Sequence, residues 1–164
     1  MSNRRFLFSG SGNGERLNLY QNMKAIIAEK PSVGMDIARV VGATDRKDGY
    51  CIGNGYMVTW ALGHLVSLAM PGTYGYTKTT AEDLPMIPHP FRLISRQVKT
   101  DKGMVPDIAA AKQLKIIDNI FSQCDSIIVA TDCAREGELI FRWIYSYLGY
   151  TKPFKRLWIS SLTD

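Results

Sequence analysis

Apolar positions along the chain alternate between short unbroken runs and helical periods. Lys24 to Ala28 (KAIIA) is a run of the kind a buried strand carries, and Val33, Ile37, Val40 and Val41 then recur at helical spacing. Asp48 to Leu62 holds Asn54-Gly55 between GYCIG and YMVTWAL, the signature of a hairpin turn. Ile108, Ala111, Leu114, Ile117 and Phe121 mark one face of a helix over Asp107 to Phe121. Ile127, Ile128 and Val129 form a second buried-type strand. Leu139, Ile140, Trp143, Ile144, Tyr147 and Leu148 then mark another helix, and Phe154 to Ile159 reads as a last strand. Strands that alternate with helices predict an α/β fold: a mostly parallel central sheet flanked by helices, with a β-hairpin insertion.

Between these elements the pattern is weaker. Ser32 is the expected N-cap of the first helix and Gly42 its C-terminal stop. Met70 to Val105 carries Pro71, Pro85, Pro88 and Pro90, and is expected to be a long excursion with one short strand around Phe91 to Val98. Its basic residues (Lys78, Arg92, Arg96, Lys99, Lys102) and its aromatics suit either a solvated loop or a nucleic-acid contact. Residues 1–22 have Gly, Ser and Asn punctuation and no sustained period, so they read as a disordered or tag-like extension. Their GSGNG run lacks the preceding strand and the Lys-Ser/Thr ending of a phosphate loop. Residues 23–160 form the predicted domain, and residues 161–164 read as the cut start of a following one.

Composition narrows the class. At 164 residues the chain suits one domain with a proper core. No apolar run approaches a membrane span and no signal-peptide core opens the chain, which fits a cytoplasmic protein without a membrane partner. The 3 cysteines are scattered, so neither a disulfide framework nor a zinc knuckle is indicated. A net charge of +5 permits a polyanionic partner without demanding one.

The candidate chemistry lies at strand ends, where open α/β sheets collect ligands. After the central strand come Asp132, Glu136 and Glu138 in Thr131-Asp132-Cys133-Ala134-Arg135-Glu136-Gly137-Glu138. Crowded carboxylates repel one another unless a cation or a basic group relieves them. The cluster reads either as a metal site or as a solvated helix start, since acidic residues favour a helix N-terminus. Glu29-Lys30-Pro31-Ser32 follows the first strand, and reads as a site or as a surface loop with an incidental ion pair. His64 follows the hairpin strand and is a further candidate. A dinucleotide-binding fold would need a glycine-rich first turn, and Glu-Lys-Pro-Ser is not one.

With these residues in place, the sequence resembles the N-terminal TOPRIM domain of type IA DNA topoisomerases, most closely the bacterial topoisomerase III group. Four blocks carry the resemblance: MKAIIAEKPSVGMDIARVVG at 23–42, VTWALGHL at 58–65, IIVATDCAREGELIFRWI at 127–144 and RLWISSLTD at 156–164. It covers the chain from Met23 onward. The resemblance implies a Rossmann-like TOPRIM fold and Mg²⁺-dependent cleavage and resealing of single-stranded DNA. Glu29 matches a residue that assists proton transfer and joins the metal site. Lys30 matches one that stabilises phosphate charge, as a cation beside a reacting phosphodiester would. Asp132 and Glu136 match Mg²⁺ ligands, with His64, Arg135 and Glu138 as DNA-binding or supporting residues.

The family block reads Asp-x-Asp-x-Glu-Gly-Glu, and Ala134 stands here in place of its middle aspartate. Mg²⁺ keeps several waters, so one lost carboxylate lowers affinity or moves the ion and speaks against two-metal chemistry. The attacking tyrosine of the family lies in a separate domain, so the remaining domains of the same polypeptide are expected partners and this chain alone is expected to be inactive. Two other readings stay open: another TOPRIM enzyme of primase or nuclease type, and a nucleic-acid-binding module without chemistry.

Overall fold

The structure, a computed structural model, describes residues 22–76, 80–101 and 103–158. The extension at 1–21, the final residues 159–164, Lys78 and Lys102 lie outside the described residues.

The main sheet is built from β1 (Lys24–Ala28), β2 (Asp45–Lys47), β3 (Tyr50–Gly53), β4 (Tyr56–Trp60), β9 (Ser126–Ala130) and β10 (Phe154–Arg156), in the order β10-β9-β1-β4-β3-β2. The remaining strands pair in two small ribbons, β5 (Val66–Leu68) with β6 (Leu93–Ser95) and β7 (Gln97–Thr100) with β8 (Gly103–Pro106). The helices are α1 (Pro31–Val41), α2 (Ile108–Gln123) and α3 (Arg135–Tyr147). β10, β9, β1 and β4 run parallel, while β4, β3 and β2 form an antiparallel meander at one side. Asn54 (φ 47°) and Gly55 (φ 78°) turn the β3–β4 hairpin with two positive φ angles, as a primed two-residue turn needs.

The central strands are covered on both faces, which is why they read as unbroken apolar runs rather than alternating ones. Ala25, Ile27, Ile127 and Val129 pack in one core with Leu114, Ile117 and Phe121 of α2 and Ile140, Phe141 and Ile144 of α3. Ile26, Ala28, Val58, Trp60 and Ala130 pack in the other with Ile37 and Ala38 of α1. Gly34 lets α1 lie against the sheet, because a Cβ there would stand 2.6 Å from the Trp60 ring.

Three local expectations change. The N-cap of α1 is Lys30, with no side-chain cap, and not Ser32. Pro31 takes the first helical position, where its fixed φ suits the helix and its missing N–H costs nothing. In α3 the buried stripe is Gly137, Ile140, Phe141 and Ile144, while Leu139 and Tyr147 are exposed. The Met70 to Val105 stretch holds β6, β7 and most of β8 rather than a single strand. β6 pairs back across the excursion with β5, so Leu68 faces Leu93. Gly42 ends α1 as expected, at φ 77°, with its N–H donating to the Ala38 and Arg39 carbonyls. No helix among the described residues is long and apolar enough to cross a membrane.

Candidate functional site

Parallel register sets the site. Ala28, the last residue of β1, is the partner of both Trp60 on β4 and Ala130 on β9. Three strands therefore end level, and the segments that leave them share one rim: Glu29-Lys30 after β1, Ala61 to His64 after β4, and Thr131 to Ala134 after β9. The Ala61 N–H donates to the Ala28 carbonyl at 2.8 Å, extending the ladder to the lip of that rim. Lys30 is exposed and Glu29 half-buried at the start of α1.

The β9–α3 turn is tightly built. A Cβ on Gly137 would stand 2.2 Å from the Asp132 carbonyl oxygen and 2.7 Å from its nitrogen, so only glycine lets the first turn of α3 rest on the Asp132 backbone. The Asp132 Oδ1 accepts the Ala134 N–H at 3.3 Å. Ala134 itself is the N-cap of α3, extended at φ −75° and ψ 170°, and brings no side-chain acceptor to the helix start. The position that departs from the family block is therefore also a helix cap.

Glu136 and His64 meet across the rim, with Nε2 and Oε1 at 3.4 Å. The His64 ring tilts against Trp143 at 5.6 Å between centroids, and its Nδ1 is buried without a hydrogen-bond partner. His64, Ala134, Arg135, Glu136 and Leu139 line an open groove of about 600 Å³. Glu138 faces elsewhere. It accepts from Arg142 Nε at 2.6 Å and pairs with Arg156, and Arg142 foremost, then Arg156, holds its carboxyl below the usual range. Glu138 is thus engaged in a structural ion-pair network rather than open to a ligand.

Two arginines that no sequence motif singled out as structural hold the rim loops. Arg156 Nη1 donates to the Thr131 carbonyl at 3.0 Å and the Asp132 carbonyl at 3.4 Å. Arg96 Nη1 donates to the Leu62 carbonyl at 2.9 Å and the His64 carbonyl at 3.2 Å. The sequence offered Arg96 only as one of several basic residues in the excursion. Its partners are 32 and 34 residues away, so no local signal marks it.

Among the described residues, no three His, Cys, Asp or Glu side chains gather into a group able to hold a metal ion. The structure brings Glu136 to His64 and Asp132 to the Ala134 amide, and does not close Glu29, Asp132 and Glu136 into a cluster. The donors at the rim are still the kind Mg²⁺ takes. Asp132 and Glu136 are exposed carboxylates, and Mg²⁺ is commonly bound by one or two carboxylates together with waters and substrate phosphates. The residues present fit a hydrated ion, not a closed protein cage.

Comparison with known proteins gives a consistent result. The profile of the Toprim domain matches residues 24–162. Similar curated proteins include the DNA topoisomerase 3 of Shouchella clausii, 45% identical over 145 residues, and those of Bacillus licheniformis and Bacillus subtilis, 49% and 48% identical over 141 residues. These matches cover 85–86% of this chain, which spans about 18% of each relative's length.

Proposed function

Since the chain belongs to the Toprim domain family, we propose that it supplies the acid/base, phosphate and metal half of a composite site that breaks and reseals single-stranded DNA, within a longer topoisomerase III-like polypeptide. The observation that carries this reading is the level ending of β1, β4 and β9, which puts Glu29 and Lys30 on the same rim as His64, Asp132 and Glu136. The names of the relatives support a DNA substrate.

In this reading a tyrosine from another part of the polypeptide attacks the phosphorus. The phosphodiester bond to the departing sugar oxygen is replaced by one to the tyrosine oxygen. Bond energy is thereby kept for resealing, and no nucleotide is consumed. Glu29 hands a proton to the departing oxygen while the tyrosine hydroxyl gives its own proton to solvent, and both transfers reverse when the break closes. Lys30, exposed at the start of α1, stabilises negative charge on the phosphate, aided by the positive end of the helix. Asp132 and Glu136 would hold Mg²⁺, an ion that Toprim domains generally bind, with Glu29, just past β1, joining them only as the deprotonated carboxylate. When bound, the ion neutralises phosphate charge. Arg135, on the groove wall, offers the DNA backbone a cation.

Cleavage of a single-stranded oligonucleotide by the full-length polypeptide tests the assignment. Glu29→Gln should slow formation of the covalent adduct by about 10²–10⁴-fold, the usual worth of a positioned proton donor. Cleavage undiminished in both Glu29→Gln and Lys30→Ala would remove the catalytic reading. Two observations favour a second reading, a nucleic-acid-binding module without chemistry: Ala134 at the cap of α3 and the absence of a three-carboxylate group among the described residues. DNA binding that persists with no cleavage in the unsubstituted polypeptide would support that reading instead.

A further inference from the structure

We propose that Arg96 is a positioning residue: its guanidinium, locked by Asp107, sets where the His64 ring stands on the rim. His64 lies beyond the end of β4, on a loop that turns at Gly63 with φ 67°. The ring rests against Trp143 with Nδ1 buried, but no hydrogen bond to a fixed group holds it. Nδ1 has no partner, Nε2 reaches a Glu136 side chain that is 77% exposed, and Trp143 gives a face rather than a hydrogen bond. The hydrogen bonds that hold His64 in place are therefore those made to the backbone of its loop.

Arg96 is built to do that. Nη1 takes the carbonyls on both sides of Gly63, from Leu62 and from His64 itself. Nε and Nη2 meet Asp107 Oδ2 at 2.8 and 2.7 Å. The backbone closes the same frame, since Arg96 N–H donates to the Leu65 carbonyl and Asp107 N–H to the Arg96 carbonyl, at 2.8 and 2.9 Å. Asp107 is anchored in turn, because its Oδ1 caps α2 by accepting from Ala109 and Ala110. The chain of support runs from a helix start through one fork of donors to the His64 carbonyl. A lysine cannot reproduce that fork, being a single point charge. The bearing of this frame on catalysis rests on the strand-breaking role proposed above; the placement of His64 does not.

The chain has only 2 histidines, His64 and His89, so the imidazole signals of a ¹³C-histidine-labelled sample separate cleanly. In the unsubstituted protein a nuclear Overhauser cross-peak should join the His64 ring to the Trp143 indole. In Arg96→Met that cross-peak should be lost, while the one between Phe141 and Phe154, whose rings lie 4.8 Å apart in the core, persists. Arg96→Lys should not restore it. A His64–Trp143 cross-peak unchanged in a folded Arg96→Met protein overturns the proposal. Should Arg96→Met fail to fold, Asp107→Asn decides, because asparagine keeps the cap and removes the counter-charge. A moved His64 signal is expected there, and an unmoved one overturns the proposal. Neither result depends on cleavage, so failure here and failure of the strand-breaking role are read separately.

Discussion

Ala134 shows how one side chain serves two demands. At the N-cap of α3 it offers no acceptor to the helix, and beside Asp132 and Glu136 it offers no third carboxylate. Ala134→Asp should therefore raise stability in Mg²⁺ by about 0.5–2 kcal/mol, the usual worth of an N-cap aspartate over alanine, and should tighten Mg²⁺ binding. Thermal melts with and without the ion check both parts. Gly137→Ala should act oppositely. Its methyl would collide with the Asp132 backbone, which cannot move aside as a flexible side chain would, so a loss of about 1–3 kcal/mol is expected in denaturant melts. At this scale the two turns that carry Glu29-Lys30 and Asp132 to Glu136 are legible because each follows a strand-like apolar run. Glu138 stands in the same block yet turns to Arg142 and Arg156, and Arg156 lies 18 residues further along the chain. The i, i+4 spacing to Arg142 is a local sign of that pairing, whereas the tie to Arg156 is not readable from the local pattern.

Elements are held to one another by a few long polar ties. Lys152, in the loop before β10, donates from Nζ to the Phe121 and Cys124 carbonyls at 2.7 and 2.8 Å, closing the C-terminal end of α2. Lys152→Met should uncover those carbonyls and cost about 1–3 kcal/mol. Gln113 of α2 is buried and donates to the Gly49 and Trp60 carbonyls and to Thr59 Oγ1, pinning the helix to the β3–β4 hairpin. Strands β1, β4 and β9 were readable because burial on both faces leaves a continuous apolar run. The β5–β6 ribbon was not, because its strands are three residues each and pair across the excursion. In α3, Ile140, Trp143, Ile144 and Leu148 pack on the core as the helical period predicts, whereas Leu139 and Tyr147 lie outside the packed stripe and Phe141 fills it.

The molecule as a whole joins a basic chain to an acidic rim. Acid should loosen it through carboxyls held below their ordinary values. Glu138 is held down by Arg142 and then Arg156, and Asp107 by the Ala110 N–H and then Arg96. Both pKa values are lower folded than unfolded. Their stabilisation is therefore complete above the ordinary values of 4.5 and 3.8, and is lost as pH falls through the folded ones. Glu138→Gln should flatten the fall in melting temperature below about pH 4.5, since that carboxylate is no longer there to be protonated. A single ligand site at the rim left by β1, β4 and β9 has a definite signature in an Mg²⁺ titration followed by backbone amide NMR. Saturable shifts confined to Glu29 and to Asp132 through Glu138 are predicted. An unchanged spectrum up to millimolar Mg²⁺, or shifts at the acidic turn that leave Glu29 untouched, would contradict it.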